Sequence, residues 1–158
     1  MRTAATMAKL DRRLDRRAEA PMTIHSDYAA PSAIEKALRE NFFDSLFLDL
    51  EPKQIPLVGE GEADHLVHEV HLNKCLEIHR ICAEIDERGY KFADPLTAIL
   101  YALKLPDRQL EYPLCVFFKR NRRLWYIIFG KNCYGRTMDV RRCISTGTFG
   151  EAYRYLCE

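Results

Sequence analysis

The sequence predicts an α+β fold, in which three helices are followed by a small antiparallel sheet of about three strands and a short C-terminal helix. Apolar residues recur every three or four positions over the first two thirds of the chain, which is typical of helices. The last third instead contains short aromatic and β-branched runs separated by turn residues. A chain of 158 residues with 47% hydrophobic and 30% charged residues suits one globular domain. We expect that domain over residues 30–158.

The first 29 residues predict a flexible N-terminal tail. This segment is rich in arginine, but its acids argue against an organelle transit peptide, and it lacks the apolar core of a secretory signal. No apolar run approaches the roughly 20 residues that a membrane-spanning helix needs, so no membrane association is expected. The six cysteines form no CxxC motif and predict free thiols in a reducing compartment. A cytoplasmic protein is therefore expected.

Three helices are predicted from their end signals and apolar stripes. The first begins at Ser32, which can form a capping box with Glu35, and its stripe runs to Leu46. The second runs over residues 64–88, because no glycine or proline interrupts it before Gly89. The third has Asp94 as its N-cap, with one proline at its first position and another after its end.

The remaining elements are predicted from the change in pattern after the third helix. Three strands are expected, over Leu114–Lys119, Leu124–Phe129 and Thr137–Ser145, and the first two are joined by a turn over Arg120–Arg123. Thr148 and Glu151 can form a second capping box, which predicts a final helix over Phe149–Cys157.

Four of the five histidines lie between residues 64 and 80, which raises the question of a metal site. On a helix, His71 and Cys75 are one turn apart and could share a zinc ion. His79 would lie about 12 Å further along the axis than His71, too far for the same ion. No further ligand is evident from the spacing, and the HExxH motif is absent. We therefore expect no metal site and no cofactor.

Signals of catalysis are weak along the chain. None of the six cysteines has a local signature of a nucleophile, and "GEGEAD" lacks the residues that hold phosphate in a P-loop. The acids of the predicted second helix are more typical of a solvated helix face. The sequence favours a protein without catalysis, and a metal- or thiol-dependent enzyme is the third alternative.

Charge is divided unevenly along the chain. Residues 35–94 contain seven basic and fourteen acidic residues, whereas residues 95–158 contain eleven basic and five acidic ones. Such asymmetry indicates either an anionic partner for the basic part or attraction between the two parts within the fold.

The stretch "FFKRNRRLWYIIFGKNCYGR" interleaves positive charge with aromatic rings, the pattern of a surface that follows a phosphate backbone and stacks on bases. Stacking on a base is expected from Trp125 or Tyr126. Eight basic residues are expected to contact phosphates: Lys119, Arg120, Arg122, Arg123, Lys131, Arg136, Arg141 and Arg142.

Strand alternation leaves other readings of this hairpin open. Leu124, Tyr126 and Ile128 should face one way, and the interleaved Trp125 and Phe129 the other, so both faces are apolar. One face can lie against the helices, and the other needs a cover. The cover is a protomer, a partner protein or nucleic-acid bases, unless the hairpin is sandwiched inside the fold with solvated arginines at its turn.

Two segments, "RRLWYIIFGK" and "STGTFGEAYRYL", resemble part of an AP2-type DNA-binding domain. That family has a three-stranded sheet whose last strand leads into "GTF" and a helix with an alanine–tyrosine pattern. The resemblance covers Leu114–Leu156 only. The stretch between Trp125 and Gly147 is longer than in the family and the final helix shorter, so the resemblance implies nucleic-acid binding without assigning residues.

The sequence as a whole predicts a small intracellular binding protein whose partner is nucleic acid. The main alternative is a protein-binding module, such as an inhibitor, an immunity-type or a regulatory protein, or a homodimer. Such a module would use the acidic helical surface or an apolar sheet face.

Overall fold

The computed structural model describes residues 20–30, 32–40 and 43–158. Their strands are β1 (Met22–Asp27), β2 (Ser45–Leu48), β3 (Glu62–His71), β4 (Leu76–Glu77), β5 (Leu114–Arg120), β6 (Arg123–Asn132), β7 (Gly135–Arg142), β8 (Thr148–Phe149) and β9 (Arg154–Cys157). The α-helices are α1 (Ala33–Glu40), α2 (Ile78–Glu87), α3 (Pro95–Lys104) and α4 (Arg108–Glu111), and Pro52–Gln54 forms a 3₁₀ turn.

Seven strands form one mixed sheet in the order β1-β3-β9-β5-β6-β7-β2, and β4 pairs with β8 in a second, two-stranded sheet. The β9–β5 and β7–β2 pairs are parallel, and the other neighbours are antiparallel. The predicted fold of three helices and a small three-stranded antiparallel sheet is therefore wrong, because the described residues form mostly strands.

The hairpin and the third helix have the strongest local signals, and both form. The Asp94 side chain caps α3 by accepting a hydrogen bond from the Thr97 backbone N–H. The hairpin turn places Asn121 and Arg122 at φ 51° and 62°. Positive φ at both central residues fits a two-residue turn whose twist matches that of the flanking strands. The three predicted strands correspond to β5, β6 and β7 with shifted ends.

The predicted second helix over residues 64–88 is wrong in its first half, which forms β3, and only Ile78–Glu87 is helical. The alternation expected of a strand is disguised, because Glu69 is buried and Leu66 is exposed. Asn73, at φ 55°, turns the chain between β3 and β4.

The predicted final helix over Phe149–Cys157 is also wrong. Phe149 pairs with Leu76 between β8 and β4, and all four residues of β9 are buried. β9 lies between β3 and β5 in the sheet. A strand that is buried on both faces lacks the alternation of polar and apolar residues by which a strand is predicted. The helix predicted from the capping box of Thr148 and Glu151 therefore does not form.

Corrections also apply near the N-terminus. Met22–Asp27, which the prediction placed in the tail, forms β1 against β3. The rest of the predicted tail, up to residue 19, lies outside the described residues. The first helix begins after Ser32 as predicted but is described only over Ala33–Glu40, and Ser45–Leu48 forms an edge strand parallel to β7.

Apolar cores lie on both faces of the large sheet. The first core packs α1 and α3 against one face, and Ile127 and Phe129 of the hairpin contribute to it. The second core packs α2 and the β4–β8 pair against the other face, where Phe117 and Tyr126 contribute. The predicted alternation of β6 is thus confirmed, and the chain itself covers both faces of the central hairpin.

Candidate functional site

Six basic side chains meet at the end of the sheet where β5 turns into β6. Arg120 and Arg123 are the last paired residues of the hairpin, and β7 brings Arg141 and Arg142 beside Tyr126 and Trp125. We call this group the basic tip, and its members are Lys119, Arg120, Arg122, Arg123, Arg141 and Arg142.

Four cations of the basic tip are exposed, and no anionic side chain of the described residues forms an ion pair with them. These four are Lys119, Arg122, Arg123 and Arg142. The other two are engaged. Arg120 Nε donates a hydrogen bond to the Gln54 carbonyl at 2.9 Å, and Arg141 lies 3.5 Å from an Asp139 oxygen and 3.9 Å from an Asp49 oxygen.

Trp125 adjoins the basic tip and is half-buried. Its ring packs against the first core. Arg142 pairs directly opposite Trp125, and Arg123 lies two residues earlier on the same strand, so all three side chains share one face. The half-buried indole therefore lies on the same face as two exposed cations.

Tyr126 lies on the opposite face and belongs to the second core. Its ring makes edge-on contacts with Phe149 and Phe117, with centroids 5.3 and 6.4 Å away. Desolvation raises the pKa of the Tyr126 phenol. The Tyr126 ring, which was a candidate for stacking on a base, is therefore packed against other rings of the fold.

Lys131 and Arg136 are paired at the opposite end of the hairpin and do not join the basic tip. Arg136 acts inside the fold: its Nη2 donates to the Ala102 carbonyl at 2.9 Å and to Gln109 Oε1 at 3.0 Å. Its guanidinium lies 4.9 Å from the centre of the Phe43 ring, and burial lowers its pKa. Of the ten predicted residues, the structure brings together the six of the basic tip and Trp125.

The acidic and basic parts of the chain meet at a buried ion cluster around Glu69, whose side chain is inaccessible to solvent. Arg108 Nε donates to Glu69 Oε1 at 2.9 Å, Tyr101 donates to the same oxygen at 2.8 Å, and Arg154 Nη1 lies 3.6 Å from Oε2. The Arg154 guanidinium also stacks 3.8 Å from the centre of the Tyr112 ring.

A second polar group, which the sequence did not reveal, connects three distant segments. His65 of β3, Asp94 at the start of α3 and Glu158 after β9 lie close together. Tyr28 OH is 2.8 Å from His65 Nε2 and donates to Asp94 Oδ2 at 2.5 Å. The sequence marks Asp94 only as an N-cap and His65 only as one of four neighbouring histidines. The three residues are far apart along the chain, so no motif brings them together.

The histidine segment lacks the helical geometry on which the alternative of a metal site depended. His71 ends β3 and contacts the Glu151 carbonyl through Nε2 at 2.7 Å, while Cys75 is exposed in the following loop. His79 lies on α2, where its Nδ1 is 3.3 Å from Glu77. The helical spacing that would have joined His71 to Cys75 therefore does not exist.

All six cysteines are free. Burial raises the pKa of the Cys143 thiol to about 12 and raises that of Cys115 well above its usual value, which disfavours a reactive thiolate at both.

Among the described residues, no helix is long and apolar enough to span a membrane. Comparisons with protein-family models, curated proteins and solved structures found no significant match.

Proposed function

We propose that this chain binds nucleic acid through the basic tip and does so in the cytoplasm. The observation that supports it is a group of four exposed cations for which the described residues show no ion pair, two of which, Arg123 and Arg142, share one face of the sheet with the half-buried Trp125. Cations placed in this way attract a phosphate backbone, and an adjoining indole offers a surface for a base. The free thiols favour a reducing compartment.

The proposed site is smaller than the predicted one. Lys131 and Arg136 lie at the other end of the hairpin, and Tyr126 is packed in the second core. The contacts assigned to nucleic acid are those of Lys119, Arg122, Arg123 and Arg142. Trp125 lies on the same face as Arg123 and Arg142, and Lys119 extends from the opposite face. Four phosphate contacts give a log–log dependence of affinity on salt with a slope of about −2.8 to −3.6.

Trp125 is the only tryptophan of the chain, so its fluorescence reports directly on the basic tip. Single-stranded and double-stranded oligonucleotides should be titrated at several salt concentrations, with tryptophan emission and the anisotropy of a labelled strand as readouts. We expect emission to change in step with anisotropy, and affinity to fall steeply as salt rises.

A matched pair of variants separates local contact from net charge. Arg123→Gln with Arg142→Gln removes two exposed cations of the basic tip and should flatten the salt slope by about 1.4–1.8. Lys104→Gln with Lys131→Gln removes the same charge at the other end of the sheet and should leave the slope unchanged. Equal effects of the two pairs, or no binding at low salt by about 100 μM protein, would overturn the proposal.

An exposed apolar edge supports a second candidate, the binding of another protein. β2 ends the large sheet, and Leu46 and Phe47 on it are each 44% exposed. An open edge strand with apolar side chains can pair with a strand of another chain. Sedimentation velocity tests the homodimer form: a concentration-dependent dimer that Phe47→Lys abolishes supports it, and a monomer at all concentrations excludes it.

A further inference from the structure

The group of His65, Asp94 and Glu158 has the composition of a metal site. Each offers one ligand atom, and the three atoms lie within 4.8 Å of one another. The side chains of His65 and Glu158 are 20% and 15% exposed, so the group is largely buried but retains a path to solvent. One imidazole and two carboxylates form a ligand set suited to zinc and neighbouring transition metals.

Backbone pairing holds two of the three ligands in place. The Glu158 N–H donates to the Lys91 carbonyl at 2.8 Å, the Lys91 N–H donates to the Glu158 carbonyl at 3.0 Å, and Phe92 pairs with Cys157. Asp94 follows directly on this segment and caps α3. Glu158 and Asp94 are thus fixed relative to β9, and β3, which pairs with β9, carries His65.

Outer hydrogen bonds orient the ligands from the side of His65 Nε2, and the other ring nitrogen, Nδ1, lies beside Glu158. Tyr28 OH contacts His65 Nε2 and donates to Asp94 Oδ2, while Thr97 Oγ1 also donates to Asp94 Oδ2 at 2.7 Å. A partner on the second ring nitrogen is the usual outer support of a ligating histidine.

Glu158 supplies an observation independent of this composition. Its Oε1 atom is buried and contacts His65 Nδ1 as an ion pair, yet it has no partner in hydrogen-bond geometry. A cation bound by both His65 Nδ1 and Glu158 Oε1 would give this oxygen a partner. A buried oxygen without a hydrogen bond is otherwise costly.

We propose that His65, Asp94 and Glu158 bind one divalent transition-metal cation, with Zn²⁺ as the cation to test. Three protein ligands leave a coordination position for water or a bound group. The imidazole nitrogen disfavours Mg²⁺ and Ca²⁺, which take oxygen ligands. Two carboxylates balance the charge of the cation. Lys91, whose Nζ lies 3.5 Å from Glu158 Oε2, competes with it.

The test is calorimetric titration of the full chain without a polyhistidine tag, after removal of metal with a chelator. We expect one Zn²⁺ per chain, with Mn²⁺ binding more weakly because divalent affinities follow the Irving–Williams order. Glu158→Gln and Asp94→Asn should each weaken Zn²⁺ binding by more than about 100-fold. Loss of a residue that only supports a ligand costs up to about 100-fold, and loss of a ligand itself should cost more. Asparagine still caps α3, so the Asp94 variant should keep its fold.

The chain provides its own control in Glu77 of β4 and His79 of α2, an exposed glutamate–histidine pair away from the proposed site. His79→Gln should leave the Zn²⁺ affinity unchanged, and Lys91→Met should tighten binding by removing the competing ammonium. Zn²⁺ should raise the melting temperature of the wild-type chain and not that of Glu158→Gln. The absence of saturable binding, equal affinity in Glu158→Gln, or loss of binding in His79→Gln would each overturn the metal site.

Discussion

Replacing Glu69 should be among the most destabilising single changes in the chain. Its carboxylate is fully buried and accepts bonds from Arg108 and Tyr101, with Arg154 alongside. Glu69→Ala removes the buried carboxylate that Arg108 and Arg154 share, while Arg108 keeps its ion pair with the exposed Glu111. Removing one partner of a buried ion pair costs about 3–5 kcal/mol. For a chain of this size that corresponds to a fall of about 6–20 °C in melting temperature.

Urea denaturation measures the free energy of unfolding, and Glu69→Gln provides a milder variant in which an amide oxygen can still accept one bond. Glu111→Gln is the matched control, because Glu111 also binds Arg108, at 3.0 Å, but its side chain is 57% exposed. That variant should cost no more than about 1 kcal/mol. If Glu69→Ala also cost less than about 1 kcal/mol, the cluster would not be the stabilising link described above.

Two further predictions concern titratable groups. All six thiols should react with a thiol reagent after denaturation without prior reduction, and a deficit of two would reveal a disulfide. In the folded chain, the exposed Cys75 and Cys133 should react before the buried Cys115 and Cys157. The hydrogen bond to Asp64 raises the pKa of His25, so its contribution to stability is full below pH 6.5 and is lost as pH rises through the higher folded value. An NMR titration should show that Asp64→Asn lowers this pKa, and an unchanged value would contradict the assignment.

Local signals determined which elements could be predicted from the sequence. Asp94 and Pro95 specify the start of α3 through a cap and a pre-set φ, and the turn at Asn121 and Arg122 lies between two strand-forming runs. These signals involve residues only a few positions apart, so they can be recognised in the sequence without knowledge of the rest of the fold.

Elements whose character is set by distant partners could not be predicted. Glu69 reads as a solvated helix residue, but Arg108 and Arg154 draw it into the interior, and a strand with a buried acid loses its alternating pattern. The same limit applies to the sites. The cations of the basic tip are near one another in sequence and were predicted together, whereas His65, Asp94 and Glu158 meet only through the pairing of β3, β9 and the segment before α3.

The fold divides the positive charge of residues 95–158 into two parts with different physical roles. Arg108, Arg136 and Arg154 are held inside by carbonyl and carboxylate groups, whereas Lys119, Arg122, Arg123 and Arg142 of the basic tip are exposed to solvent. Salt screens exposed charges strongly and buried pairs weakly. Raising salt from about 50 to 200 mM should therefore weaken oligonucleotide binding by about 50–150-fold for four contacts, while the melting temperature changes little. A melting temperature that fell together with the affinity would mean that the basic tip, and not the Glu69 cluster, holds the acidic and basic parts of the chain together.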